Sequence, residues 1–259
     1  MKISVITINF NNCAGLQKTI ESVVAQTYID YEWIVVDGGS TDGSRELIEE
    51  YTNRFSYWVS EPDKGVYNAM NKGIKVAQGD YVIFMNSGDC FADSNVLQNV
   101  VGELDCDIVA GWVKEDKSGV ISKPPEDFTL WPLFLQNIPH QAEFIRTRLF
   151  HEIAMYAEDL KVIADLEFNV RVALHDCTYR TINKIVAIVE PGGISSTEMA
   201  LMEAEGAIIR ERNLPSSVRK DYVNWIKKEK ALSSPSVVWA MNEVWPLKVL
   251  RVMKKLFGK

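Results

Sequence analysis

The chain has 259 residues, of which 47% are hydrophobic and 24% are charged, so its composition is that of a globular protein and not of a disordered or fibrous one. The formal net charge of −7 argues against nucleic acid as the main partner. The four cysteines are far apart without a CxxC pair, which indicates neither a zinc site nor a disulfide framework and fits a reducing cytoplasm.

The first third of the chain alternates short apolar runs with segments of helical periodicity. Strands are predicted at residues 3–8, 32–37, 57–60 and 81–85, and helices from Leu16, from Leu47 and over residues 66–77. The chain enters the first strand at once, which leaves too few residues for a signal peptide, and no apolar run approaches the ~20 residues that span a membrane. Strands and helices that alternate in this way predict a parallel sheet with right-handed crossovers.

The pattern is looser after residue 93. Strands are predicted at residues 107–112 and 185–189, a pairing segment at residues 119–122, a short apolar stretch at residues 142–145 and a helix at residues 165–174. Residues 191–196 are predicted to form a flexible loop. The remainder is predicted to be helical, with breaks at Pro215, Pro235 and Pro246.

Polar side chains follow the fourth predicted strand, where the run of residues 81–85 stops. Asn86 and Asp89 lie directly after it. Because ligands bind at the carboxyl ends of strands in open α/β sheets, Asp89 is a candidate ligand of Mg²⁺ or Mn²⁺ held against substrate phosphates. The alternative is a polar turn in which Asp89 caps the next helix.

An acid also ends the second predicted strand, at Asp37. In a dinucleotide fold this position binds ribose hydroxyls, but the first strand–helix turn, residues 9–15, lacks G-x-G-x-x-G, and the chain has no P-loop motif. Phosphates would therefore need another source of neutralisation, which Asp89 with a divalent cation would supply. The alternative for Asp37 is a turn acid before Gly38 and Gly39.

Several segments together resemble the family 2 glycosyltransferases, in particular the bacterial capsule and exopolysaccharide type. They are Ser-Val-Ile-Thr-Ile-Asn-Phe-Asn at residues 4–11, Trp-Ile-Val-Val-Asp-Gly-Gly-Ser-Thr-Asp-Gly at 33–43, Glu-Pro-Asp-Lys-Gly at 61–65, Ala-Met-Asn-Lys-Gly-Ile at 69–74, and residues 79–89. The resemblance is dense over residues 3–90 and continues more thinly to about residue 195.

This resemblance implies an α/β fold of the GT-A type, a Rossmann-like nucleotide-binding sheet with helices on both faces, a mixed acceptor-side half and C-terminal helices. It implies a catalytic domain at residues 1–195, made of a nucleotide-sugar half (1–92) and an acceptor half (93–195). A C-terminal helical extension would occupy residues 196–259.

The resemblance also implies which side chains bind the nucleotide. These are Ile8, Phe10, Asp37, Lys64 and Asn86. Phe10 would stack on the base and Asp37 would hold the base or the ribose. Met70 stands where the family usually has a basic residue, so Lys64 is expected to supply positive charge, with a solvated loop lysine as the alternative.

The same resemblance makes Asp89 the ligand of Mn²⁺ or Mg²⁺. The usual Asp-x-Asp-Asp run is Asn-Ser-Gly-Asp at residues 86–89, so one certain carboxylate remains. Mg²⁺ tolerates this because it keeps waters and takes substrate phosphates as ligands. His140 and Gln141 resemble a His-Gln pair near the acceptor and diphosphate, and a purely structural histidine is the alternative.

Ala-Asp-Leu-Glu at residues 164–167 resembles the family's Glu-Asp segment, in which a carboxylate takes the proton of the acceptor hydroxyl. With Ala164 in the first acidic position, Asp165 is the expected base and Glu167 the fallback. The alternative is that Asp165 only caps the helix.

These features predict a metal-dependent inverting glycosyltransferase. It would move a sugar from a nucleoside diphosphate sugar to a hydroxyl of a glycan or lipid-linked glycan in surface polysaccharide synthesis. One alternative is a non-catalytic sugar-nucleotide-binding scaffold or regulatory protein. Another is a nucleotidylyltransferase, which the absence of Arg and Lys from residues 9–15 disfavours.

The C-terminal residues 245–259 are strongly basic, with five basic residues and no acidic one after Glu243. At helical spacing their apolar and basic side chains fall on opposite faces, with Leu247 as the one apolar exception. This predicts an amphipathic helix on an anionic membrane and a cytoplasmic enzyme at the inner face of the plasma membrane. The alternative is that this helix docks on the catalytic domain or on a second copy of the chain.

Overall fold

A computed structural model describes residues 1–192 and 197–232. Nine strands in this part of the chain join one mixed sheet in the order β3-β2-β1-β4-β8-β6-β9-β5, with β7 paired to β6. They are β1 Ile3–Asn9, β2 Tyr31–Asp37, β3 Tyr57–Ser60, β4 Tyr81–Phe84, β5 Cys90–Phe91, β6 Ile108–Glu115, β7 Ile121–Ser122, β8 Glu143–Arg146 and β9 Tyr179–Val189.

The described helices connect these strands and follow the last of them. They are α1 Cys13–Val24, α2 Ser44–Glu50, α3 Val66–Val76, α4 Val96–Val100, α5 Leu130–Leu135, α6 Thr147–Glu152, α7 Ala164–Ala173, α8 Met199–Asn213 and α9 Ser216–Leu232. Short 3₁₀ turns lie at Thr52–Arg54, Val101–Glu103 and His140–Ala142.

The first four strands form the parallel part of the sheet. β1 pairs in parallel with β2 and with β4, and β2 pairs in parallel with β3. All side chains of β1 and β4 are buried, which is why these segments read as nearly continuous apolar runs. This arrangement brings the carboxyl ends of β1, β2 and β4 to one edge of the sheet.

The second half of the sheet is mixed. β8 pairs antiparallel with β4 and with β6, whereas β6 and β9 are parallel and β5 is antiparallel to β9. The short segment before β8 therefore lies beside the carboxyl end of β4. This topology puts the predicted His140 next to the predicted metal loop.

Apolar side chains fill both faces of the sheet. Trp33 is buried in the larger cluster, where its indole Nε1 donates a 3.0 Å hydrogen bond to the hydroxyl of Thr7. A second, aromatic cluster joins β4, α6 and α7: Phe150 stacks on Phe168 with 4.6 Å between ring centroids, and Phe84 meets Phe150 edge to face. This cluster anchors α7, the helix that begins at the predicted base.

The predicted parallel strands and the helices between them are present, and the structure assigns β3 to the same residues, 57–60. The predicted pairing of residues 119–122 is also confirmed, since β7 pairs with β6. β9 begins six residues before the predicted strand. Ile182 is the one buried side chain among residues 179–184, and the polar residues around it hide the alternation that identifies a strand. α4, α5 and α6 were not predicted, being too short to show a helical period.

Contacts divide the chain into two compact units, with the boundary after Gly206. In the second unit, the predicted break at Pro215 separates α8 from α9, and the guanidinium of Arg219 donates to the carbonyl of Leu214. Within the described residues, no helix combines the length and the hydropathy needed to cross a bilayer. The predictions for residues 193–196, Pro235, Pro246 and residues 245–259 lie outside the described residues.

Candidate active site

Hydrogen bonds from α1 fix the loop after β4. The Thr19 hydroxyl donates a 2.7 Å hydrogen bond to the carbonyl of Asp89 and accepts one of 3.1 Å from the backbone N–H of Gly88. Gly88 has φ = 102°, a backbone conformation that residues other than glycine strongly disfavour. The turn therefore has a fixed shape, and it directs the Asp89 side chain toward the segment before β8.

Asp89 meets Gln141 there, and Gln141 Nε2 donates a 3.1 Å hydrogen bond to Asp89 Oδ2. Burial raises the pKa of Asp89 to about 6; nearby His140 and the Gln141 hydrogen bond oppose the shift, and Glu190 adds to it. A desolvated carboxylate next to another acid is poorly stabilised as an anion. A bound cation would correct this deficit.

Asn86 lies in the same loop and contacts His140, with 3.0 Å between Asn86 Nδ2 and His140 Nε2. The side-chain oxygen of Asn86 is buried and has no hydrogen-bond partner. A buried oxygen without a partner costs free energy unless a ligand, a water molecule or an ion binds to it. This oxygen is therefore a second candidate ligand for a cation at this loop.

The side chains at this loop suit Mg²⁺ or Mn²⁺, but they supply only some of the ligands that such an ion needs. Within residues 1–192 and 197–232, no three His, Cys, Asp or Glu side chains form a ready cluster for a metal ion. Asp89 and the Asn86 oxygen are hard oxygen donors of the kind that these ions prefer, and substrate phosphates and water would supply the remaining ligands.

Asp165 is the second residue of α7 and is mostly buried beside His140. Its Oδ2 accepts a 2.9 Å hydrogen bond from the Asn137 amide and lies 3.7 Å from His140 Nδ1. Its Oδ1 accepts from the backbone N–H of Leu166 at 2.9 Å and lies 3.2 Å from the Tyr67 hydroxyl. The structure thus brings together the predicted set Asn86, Asp89, His140, Gln141 and Asp165.

A second buried acid lies behind Asp165. Glu143, on β8, is fully buried, and this burial, with the nearby charge of Asp165, raises the pKa of Glu143 well above its usual range. Asn169 is 3.5 Å from Glu143 Oε2. Burial likewise raises the pKa of Tyr67, and Asp165 adds to this shift, so Tyr67 keeps its proton and remains a donor. By contrast, Glu167 is paired with Arg171 at 3.1 Å.

Asp37 occupies the end of β2, as predicted, but its carboxylate is fully buried. It accepts hydrogen bonds from the Asn9 amide, the Ser40 and Ser60 hydroxyls and the backbone N–H groups of Gly39 and Ser40. Burial alone would raise the pKa of Asp37, but these hydrogen bonds outweigh it and lower the pKa. In this arrangement Asp37 braces the turn that follows β2.

Phe10 projects from the neighbouring turn with 64% of its surface exposed, as a ring that stacks on a ligand would. It converges with Asp63 over Gly38, since a Cβ on Gly38 would lie 2.5 Å from Asp63 Oδ2 and 3.0 Å from Phe10 Cδ2. Two other residues were predicted to bind the nucleotide. Lys64 is exposed. Ile8 is buried, and its carbonyl accepts a 3.0 Å hydrogen bond from the N–H of Ser87.

Sequence reasoning missed three polar residues at this cleft. Asp63 was visible only as part of the segment at residues 61–65. Asn137 gave no signal, because its partner Asp165 is 28 residues away. Asn71 pairs with the backbone N–H and carbonyl of Tyr156 at 3.1 and 2.9 Å, and so joins α3 to the segment before α7.

The family profile described as Glycosyl transferase family 2 matches residues 4–160, which contain the turns after β1, β2 and β4 and the His-Gln pair. The chain belongs to glycosyltransferase family 2. It is 37% identical over 202 residues to an uncharacterised glycosyltransferase of Mycobacterium tuberculosis, covering 75% of this chain and 77% of the relative. It is 32% identical over 203 residues to a PGL/p-HBAD biosynthesis glycosyltransferase of Mycobacterium bovis, covering 75% and 79%.

Among solved structures, the transferase is similar to S. aureus TarS in complex with UDP-GlcNAc. The TM-score is 0.66 with 19% sequence identity, and the match covers 94% of this chain and 76% of that one. The predicted GT-A fold is confirmed by this similarity and by the mixed sheet described above.

Proposed function

We propose that this glycosyltransferase is a metal-dependent inverting enzyme that transfers a sugar from a nucleoside diphosphate sugar to a hydroxyl of a glycan or lipid-linked glycan. One observation carries the proposal. Gln141 is hydrogen-bonded to Asp89, and His140, its neighbour in the chain, lies 3.7 Å from Asp165. This arrangement puts a candidate cation ligand and a candidate base on one cleft. The proposal includes a cytoplasmic location at the inner face of the plasma membrane.

On the donor side, Phe10 stacks on the nucleobase, and Asp63 provides an acceptor for a base or ribose hydrogen. Their convergence over Gly38 supports this assignment. The UDP-GlcNAc in the TarS structure supports a nucleoside diphosphate sugar as the donor. Asp37 and Asn9 act indirectly by fixing the turn, and Lys64 is placed in the loop next to Asp63.

At the diphosphate, Asp89 and the Asn86 oxygen would hold the cation, and Gln141 orients the Asp89 carboxylate. A bound Mg²⁺ or Mn²⁺ would offset the negative charge that develops on the leaving diphosphate. His140 fixes Asn86 on one side and faces Asp165 on the other.

At the acceptor, Asp165 takes the proton of the attacking hydroxyl. Asn137 and Leu166 N–H hold its two oxygens in place, so the carboxylate does not need to reorganise before it accepts a proton. Inversion follows because Asp165 acts on the acceptor and forms no bond to the donor sugar. The relative named for PGL/p-HBAD biosynthesis supports a role in glycoconjugate synthesis.

A binding and turnover screen tests the proposal. UDP-GlcNAc, other UDP-sugars and GDP-mannose are titrated by calorimetry with and without Mn²⁺, and ligands that bind are then tested for transfer or slow hydrolysis that releases the nucleoside diphosphate. We expect binding of at least one donor to require the cation. Equal affinity with and without Mn²⁺ would contradict the metal-dependent mechanism, and binding without any release of diphosphate would contradict turnover.

A further inference from the structure

A buried carboxylate outside the cleft holds the segment that leads into α7. Glu205, on α8, is only 3% exposed. Its Oε1 accepts a hydrogen bond of 2.6 Å from the backbone N–H of Lys161, and its Oε2 accepts two of 3.0 Å from those of Val162 and Ile163. Three consecutive amides therefore converge on one carboxylate.

These amides belong to the entrance of the helix that carries Asp165. The N-cap residue is Ile163, which has no polar side chain and makes no side-chain cap hydrogen bond. Without Glu205, the N–H groups of Lys161, Val162 and Ile163, which lie just before the first turn of α7, would lose their partner.

The same segment is held on its carbonyl side by α3. The Tyr67 hydroxyl donates a 2.7 Å hydrogen bond to the carbonyl of Val162. Val162 is thus fixed through both its N–H and its C=O, three residues before Asp165. Glu205 and Tyr67 together define the direction in which the chain enters α7.

We propose that Glu205 is a positioning residue of the transfer reaction, which sets the place of Asp165 by fixing the backbone of residues 161–163. The inference rests on the proposed role of Asp165 as the base. General-base catalysis depends on distance and angle, and a displacement of about 1 Å costs on the order of 100-fold in rate. Within the described residues, Glu205 makes no hydrogen bond to Asp89 or Phe10, so its effect should fall on the chemical step.

The test compares Glu205→Ala and Glu205→Gln with Glu203→Ala, an exposed acid on the same helix. Amide hydrogen exchange is measured for a peptide that contains residues 161–163, and steady-state kinetics are measured with the donor found in the screen. We expect faster exchange in Glu205→Ala and a kcat about 10- to 100-fold lower, with the KM for the donor within about twofold.

Glu205→Gln should fall between Glu205→Ala and the wild type, because its amide oxygen still accepts while its NH₂ has no acceptor. If Glu205→Ala does not fold, Glu205→Gln carries the test at a temperature well below its melting point. If Glu205 is purely structural, its substitution will lower the melting temperature but leave the kcat of the folded enzyme equal to that of Glu203→Ala. That result would overturn the inference.

A double-mutant cycle separates this inference from the proposed function. In an Asp165→Asn background, Glu205→Ala should cause no further loss of kcat, because Glu205 acts through Asp165. A further loss of the same size would overturn the inference while leaving Asp165 as the base. Normal turnover in Asp165→Asn alone would overturn the proposed base and, with it, the role of Glu205.

Discussion

His140 Nδ1 lies 3.7 Å from Asp165 Oδ2, and the opposite ring nitrogen of His140 lies 3.0 Å from the Asn86 amide nitrogen. In the neutral tautomer whose Nε2 accepts from that amide, the other ring nitrogen carries the proton. The ring proton then lies on Nδ1 and faces Asp165. The cation loop and the candidate base are therefore linked through one ring.

Replacing Asp165 by Asn should keep the fold and nucleotide binding but lower kcat by at least about 100-fold, the low end of general-base contributions. The amide is isosteric and can still accept from Leu166 N–H, but it cannot take the acceptor proton. Transfer rates and calorimetric nucleotide binding check this. Near-normal turnover would move the base elsewhere, first to Glu167.

The two contacts of His140 can be separated with two substitutions. His140→Asn retains a donor near the position of Nδ1, whereas His140→Gln retains a group near the position of Nε2. We expect His140→Gln to lose about tenfold in kcat, the equivalent of ~1.4 kcal/mol, and to keep its affinity for Mn²⁺. His140→Asn should show the reverse. Identical kinetics and metal affinity in both variants would show that His140 is only structural.

Asp89→Ala should abolish the dependence of nucleotide binding on a cation, because the variant lacks the carboxylate that holds the ion. Without the ion, the negative charges of the phosphates repel one another. The affinity of the wild type for UDP or GDP in Mn²⁺ should exceed that of the variant by at least about tenfold, or ~1.4 kcal/mol. Calorimetry with and without Mn²⁺ measures this, with exposed Asp116→Ala as the matched control. If wild type and variant bind alike in both conditions, Asp89 is not a cation ligand.

Asp37→Asn should destabilise the protein by at least about 2 kcal/mol at neutral pH, because the amide nitrogen would face backbone and hydroxyl donors. Since hydrogen bonds lower the pKa of Asp37 in the folded protein, its contribution is complete above the unfolded pKa of ~3.9 and disappears as the pH falls through the lower folded value. The difference in unfolding free energy from the wild type should therefore shrink below about pH 4.

Urea unfolding at several pH values measures this difference, with exposed Asp127→Asn as the control. A difference that stays constant down to pH 2 would contradict the prediction. So would a difference that is already absent at pH 7.

The basic C-terminal residues 245–259 give a separate prediction. Full-length protein should float with anionic vesicles at low salt and less at high salt, and deletion of residues 245–259 should abolish flotation. Unchanged flotation after the deletion would exclude membrane binding by this segment. Loss of solubility and melting temperature without a change in vesicle binding would favour docking on protein.

The parallel half of the fold was predictable because its strands are buried on both faces and helices separate them along the chain. Loop residues such as Asn86 and Asp89 were also visible, since they end a buried strand. Glu205 was not, because an acid within a helix normally marks a solvated face, and only tertiary packing buries this one. Asn137 was hidden for a similar reason, since its partner is remote in sequence.

The parallel strands and the mixed second half of the sheet meet where β4 pairs with β8, with Tyr81 opposite Arg146 and Val82 opposite Ile145. This seam is short, and the parallel strands on one side of it pair with one another independently of it. The mixed second half could therefore be exchanged between related chains by recombination at the seam, with the parallel strands kept whole. A chimera cut between β5 and β6 would have to preserve the Gln141 contact to Asp89, which makes that glutamine a marker of compatible halves.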